Sequence, residues 1–218
     1  MIRSSVFRLF SGVLLAALVV GCGDDYESPT DTGPYLQVTP LFTGILEGST
    51  IQLNATLAGQ AVPVTWASSN TAAATVSPTG LVTGVGGGFA AITATMTSDA
   101  ARLRSASVTV TAPPTLTSGV AVTGLSSTAA RGSTRLWKII VPAGKTNLSV
   151  TLSGGTGDVD LYIRQGTPPT FSNFACASEN GGNNELCSVN NPAAGTWYVM
   201  LGLWDPYSGV TLTATVTP

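Results

Sequence analysis

Apolar and polar residues alternate one by one through short runs of this 218-residue chain, and turn formers separate the runs. Val210, Leu212, Ala214 and Val216 share one parity, as do Trp197, Val199 and Leu201, and Leu148, Val150 and Leu152. A period of two places every second side chain on one face of an extended strand, a pattern no helix buries on one side. The same alternation runs through Ile51, Leu53, Ala55 and Leu57, and through Val120/Val122 and Leu161/Ile163. Further strands are expected at 64–68, 74–76, 81–83, 90–96, 105–110 and 134–140. Gly48, Asn70, Gly80 and the run Gly86, Gly87, Gly88 punctuate the first half, the run being expected as a hairpin turn. Trp204, Asp205, Pro206 and Tyr207 are expected as a loop between two strands. Many short strands at even spacing predict an all-β chain of two sandwiches in tandem.

Composition supports this and narrows function. Gly (25) and Pro (13) are plentiful, and charged residues are only 9%. No basic patch exists to neutralise phosphates, so a nucleic-acid partner is excluded. There is no His, which excludes Ser-His-Asp and Cys-His nucleophilic sites and zinc sites of the His-Glu-x-x-His kind. A glycosidase needs two carboxylates across a cleft. Asp158 and Asp160 lie too close along one strand for that, and Glu179 and Glu185 fall in one loop. No catalytic residue is expected, and the chain is not expected to be an enzyme.

The N-terminus reads as an address. Arg3 and Arg8 precede a short apolar run from Val13 to Val20, and small Gly21 precedes Cys22. The run is too short to span a bilayer and fits a secretory leader over residues 1–21. Leu18, Val19, Val20, Gly21 and Cys22 resemble the bacterial lipobox, which implies lipidation of Cys22 and a membrane anchor of several acyl chains. Residue 23 is Gly and not Asp, which by the same resemblance implies an outer-membrane lipoprotein of the cell envelope, facing periplasm or cell surface. Residues 22–34 hold four acids and two prolines and no basic residue. They are expected as a flexible acidic tether.

Residues 35–112 carry a resemblance. Trp66 with Ser68, Ser69 and Asn70, then Ala74 to Ser77, Gly80 to Val82, Gly88 to Ala94 and the closing Val108, Thr109 and Val110 resemble the bacterial Ig-like group 2 domain. The resemblance implies a spacer or adhesive unit, and Trp66 is expected in its core. The three glycines before Phe89 depart from the usual pattern.

Residues 113–116 form a Pro-rich linker, and residues 117–218 carry a second resemblance. The segment LWKIIVPAGKTNLSVTLSGGTGDVDLYIRQGTPPT, then GGNNELC and PAAGTWYVMLGLWDPYSGVTLTATV, resemble the bacterial pre-peptidase C-terminal domain. This implies a jelly-roll-like sandwich of the kind appended to exported proteases, although no protease sequence precedes it here.

Four side chains and one cysteine pair are candidates for function. Asp158 and Asp160 at i and i+2 point to one face of a strand, and paired carboxylates suit Ca²⁺. One Asp in a turn and the other in solvent is the plainer alternative. Trp204 and Tyr207 are candidate ligand-binding aromatics, with a loop folded over the sheet edge as the alternative. Cys176 and Cys187 are the remaining cysteines of an oxidising compartment. A disulfide is expected there, against two free thiols or a metal site, the latter short of ligands without His. The functional expectation is a non-catalytic surface binding or adhesion module for polysaccharide or protein. The alternative is a structural spacer or accessory subunit for another exported protein.

Overall fold

A computed structural model describes residues 34–218, and these are all strand and connecting turn. The expected leader, the Cys22 lipidation site and residues 22–33 of the tether lie outside the described residues.

The first sandwich comprises β1 (Leu36–Thr39), β2 (Phe42–Leu46), β3 (Thr50–Gln52), β4 (Asn54–Leu57), β5 (Gln60–Ala61), β6 (Val64–Ser68), β7 (Ala74–Val76), β8 (Leu81–Gly84), β9 (Gly88–Met96) and β10 (Leu103–Thr111). One sheet runs β2-β10-β9-β6, and its core is shared with the short sheets β1-β4-β5 and β3-β8-β7. Ala90, Ile92, Ala94, Ala106, Val108 and Val110 meet Leu36, Val38, Leu53 and Val82 inside. The alternation over 51–57 predicts a single strand. The chain instead changes sheet at Leu53: β3 pairs β8, and β4 pairs β1. The Leu53 amide still extends the β3–β8 ladder, donating to the Gly80 carbonyl at 2.9 Å, and Asn54 then opens the pairing with β1. Inward parity is kept through such a switch, so hydrophobic periodicity alone does not reveal it. The three-glycine run is likewise not a hairpin turn. It crosses between sheets, because β8 and β9 do not pair with each other. Trp66 is half-buried and packs against the core from its edge.

The second sandwich comprises β11 (Val122–Ser127), β12 (Thr134–Val141), β13 (Asn147–Ser153), β14 (Thr156–Gln165), β15 (Cys176–Ser178), β16 (Glu185–Asn190) and β17 (Gly195–Thr217). Its strands follow the path β15-β14-β17-β13-β16. β17 is 23 residues long and serves both sheets. Its first half pairs β12 and β14, and its second half pairs β11 and β13. The expected loop at Trp204–Tyr207 is therefore the corner of one continuous strand. Pro206 has no amide hydrogen to give a ladder, and the register of β14 slips on either side of Asp158, which together bend the strand without ending it.

Cys176 and Cys187 form a disulfide with Cα atoms 5.8 Å apart. β15 and β16 sit at opposite ends of the strand path, so the bond staples one sheet edge to the other. The linker is also tied down. The Leu116 amide donates to the Lys138 carbonyl at 2.7 Å, and the Lys138 amide donates to the Pro114 carbonyl at 2.9 Å. Leu116 itself is buried in the second core.

Candidate functional site

Along β14 the odd positions Val159, Leu161 and Ile163 enter the core between the sheets. The even positions Asp158, Asp160 and Tyr162 therefore face outward, as their spacing implies. On the adjacent first half of β17 the matching outward positions are Tyr198, Met200, Gly202 and Trp204, with Asp160 opposite Gly202 and Tyr162 opposite Met200. An outward face of a sandwich normally meets water. Here the excursion between β14 and β15 folds back over it. Phe171 packs edge-on against Tyr162 at 5.4 Å, and Phe174 lies 5.7 Å from the same ring. Gly202 is required for this cover, because a Cβ there would come within 2.6 Å of the Phe171 ring. Gly157 does the same at the corner: with φ near +93°, it lets β14 approach the Pro206 carbonyl more closely than any side chain allows.

The cover is incomplete, and what remains open is a cleft of about 660 Å³. Asp158 and Asp160 are on its floor, and Tyr162, Phe171 and Trp204 line it. Glu179 and the turn Asn180–Gly181 close one side, and Arg131 with Gly132 the other. Trp204 is 52% exposed, and the Arg131 guanidinium stacks on its ring, 3.0 Å from the centroid.

Each carboxylate has a distinct setting. Asp158 Oδ1 accepts the Gly182 amide at 3.1 Å. The Tyr162 hydroxyl donates to Glu179 Oε1 at 2.6 Å, and burial together with that bond raises the phenol's pKa strongly. Glu185 is buried behind the loop and is satisfied there. It accepts the Asn180 amide at 3.1 Å, the Asn180 side-chain NH₂ at 3.0 Å and the Ser178 hydroxyl. Asp160 is only 8% exposed and makes no hydrogen bond among the described residues. Its pKa is raised to about 6, first by burial and then by the charges of Asp158, Glu179 and Glu185, against which Arg131 acts in the opposite sense.

Asp158, Asp160 and Trp204, singled out from the sequence, thus meet in one cleft. Tyr207 does not join them. At 3% exposure it is a core residue, turned inward at the corner of β17 between Leu203 and Val210. The expectation that it binds a ligand is corrected accordingly. Arg131, Tyr162, Phe171 and Glu179 were not singled out as ligand-contacting residues. Tyr162 was within reach, being two residues beyond Asp160 on the same face, whereas Arg131 and Phe171 arrive from turns whose paths leave no periodic signal. Among the described residues no group of three or more His, Cys, Asp or Glu side chains is placed to hold a metal ion, so a Ca²⁺ ion at Asp158 and Asp160 would draw the rest of its roughly six to eight oxygens from backbone carbonyls and water.

A second contact of note joins the two sandwiches. Lys138 of β12 donates to both carboxylate oxygens of Glu47 at 2.7 Å, and the Tyr198 hydroxyl donates to Glu47 Oε1 at 3.3 Å. Burial, with Glu47 beside it, pushes the Tyr198 phenol up to about 12.

Comparison with known proteins agrees with this architecture. Residues 35–105 match the bacterial Ig-like domain (group 2), and residues 133–202 match the bacterial pre-peptidase C-terminal domain. The chain is similar to alkaline serine exoprotease A of Vibrio alginolyticus, 41% identical over 45% of this chain and 18% of that protein. It is similar also to a zinc metalloprotease of Helicobacter pylori, 40% identical over 49% of this chain and 42% of that protein. The matched stretches lie in the C-terminal domain region, and the chain spans less than half the length of either relative. Among solved structures, the solution structure of vEP C-ter 100 is 36% identical, covering 47% of this chain and 98% of that one at a TM-score of 0.39. The pre-peptidase C-terminal domain of a Bacillus anthracis collagenase is 14% identical, covering 48% and 94% at a TM-score of 0.37.

Proposed function

Because the chain carries a bacterial Ig-like domain (group 2) followed by a bacterial pre-peptidase C-terminal domain, we propose that it is a non-catalytic, exported binding module. It is anchored to the outer membrane through Cys22 and recognises polysaccharide or protein at the cell envelope. The recognition site is the cleft of the second sandwich. One observation carries this reading: an exposed tryptophan, Trp204, and a buried carboxylate, Asp160, line the same open cavity of about 660 Å³. An apolar wall with a few convergent polar groups is the general form of a ligand site. The matched domains are non-catalytic modules, and the absence of His removes hydrolytic machinery that depends on it. Export is supported by a relative of Xanthomonas campestris named extracellular protease, 42% identical over 46% of this chain and 17% of that protein.

The test is a panel of glycans and extracellular matrix proteins presented to the full chain, in calcium and in chelator. Binding that falls in Trp204→Ala supports the reading. Binding unaffected by that change, or no binding across the panel, overturns it.

The Glu47–Lys138 contact favours a second reading. By tying the sandwiches together it suits a rigid spacer or accessory subunit that presents another exported protein. That reading expects a stable partner in pull-downs from intact cells and no affinity for free glycans.

A further inference from the structure

The cleft combines features that a neutral ligand leaves unanswered. Asp160 is nine-tenths buried, faces the cavity and makes no hydrogen bond among the described residues. Buried charge is costly unless paired. Glu185 shows how this domain handles a buried carboxylate, since backbone, amide and hydroxyl donors surround it. Asp160 lacks such donors, and Asp158, Glu179 and Glu185 add repulsion to its desolvation. Hydroxyl groups of a neutral glycan would supply hydrogen bonds but no charge. A positive group supplies both.

The walls define the shape of that group. Phe171 and Trp204 offer apolar ring surface on the way to the carboxylates. A charged head on a methylene stem uses both, its stem packing along the rings while its head meets the acids. Arg131, a residue of this chain, already shows the fit on one wall. Its guanidinium sits over the Trp204 ring and within electrostatic reach of Asp160.

We propose that the cleft captures a lysine or arginine side chain presented by a protein partner, its charged head meeting Asp158 and Asp160 and its stem lying between Phe171 and Trp204. This rests on the reading of the cleft as the recognition site and names what that site takes.

The experiment uses the full chain in detergent, labelled with nitrogen-15, and follows the Trp204 indole and Gly182 amide resonances. Three peptides are titrated: acetyl-Gly-Gly-Arg-Gly-Gly-amide, its lysine counterpart, and its citrulline counterpart, which keeps the shape and loses the charge. Cellohexaose is titrated in parallel. The expected result is movement of both resonances by the arginine and lysine peptides and none by the citrulline peptide. In Asp160→Asn, apparent affinity should fall by about tenfold, as loss of one charge-assisted bond requires. Unchanged amide resonances of Leu148 and Val150, in the core of the second sandwich, would show that this variant is folded. Equal binding of the citrulline and arginine peptides would overturn the basic side-chain assignment and leave the cleft as the site. Movement by cellohexaose alone would do the same and assign the cleft to polysaccharide. If no probe moves either resonance, both the assignment and the cleft's role fall.

Discussion

The ammonium of Lys138 lies 2.7 Å from both carboxylate oxygens of Glu47, and so joins a strand of the second sandwich to the end of a strand in the first. Both side chains are mostly shielded, at 17% and 9% exposure. Removing one partner from such a pair strands the other charge, at about 3 kcal/mol. Lys138→Met should therefore lower stability by about that amount in urea melts, while Glu47→Gln combined with Lys138→Met recovers much of it. Additive losses in the double variant would show that the two residues do not act as a pair.

Asp160 gives stability a defined pH dependence. An unperturbed carboxyl titrates near 3.8, and Asp160 in the folded protein titrates near 6. Between these values the native state binds more protons than the unfolded state, so this group's contribution declines as pH rises through the window. Above pH 6 the full penalty of the buried charge applies. Asp160→Asn should thus stabilise at pH 7.5, by on the order of 1–2 kcal/mol, and have little effect at pH 4. Thermal melts of both proteins at the two pH values decide this, and a variant that is less stable at pH 7.5 would contradict it.

The two C-terminal aromatics should separate cleanly. Tyr207 is core, so Tyr207→Ala should cost about 3–5 kcal/mol. Trp204 is 52% exposed and carries the Arg131 stack, so Trp204→Ala should cost less than about 1 kcal/mol. Denaturant melts compare them, and similar losses would mean that the corner of β17 is misplaced.

Replacing both Cys176 and Cys187 by Ser removes the staple between the two sheet edges. A loss of about 3 kcal/mol is expected from the short loop it closes. The same loss should appear when the unchanged protein is melted in reductant, and resistance to reductant would argue against the bond.

Labelled palmitate should enter the protein in cells and be absent from Cys22→Ser. Label retained by that variant would place the anchor elsewhere.

Much of this organisation was legible before the fold, because side-chain alternation records which face of a strand is buried. Leu148, Val150 and Leu152 were readable as core, and Asp158 and Asp160 as sharing a face, from parity alone. Parity is silent about pairing partners, which is why the change of sheet at Leu53 and the continuity of β17 through Pro206 were not visible. Tyr207 looked like a loop residue because Pro and Asp beside it are turn formers, yet a bent strand tolerates both at a corner. Arg131, Phe171 and Glu47 reach their partners across turns or across the domain boundary. Their roles depend on where the backbone carries them, for which no local pattern stands.

The most direct test of the cleft as the recognition site is hydroxyl-radical footprinting of the full chain, bound and free, on any ligand recovered from the glycan and protein panel. Trp204 and Phe171 are both exposed and oxidisable, as are Phe42 and Phe89 on the first sandwich. Protection of Trp204 and Phe171, with Phe42 and Phe89 unchanged, is the expected result. Protection confined to Phe42 and Phe89 would contradict it and move recognition to the Ig-like domain.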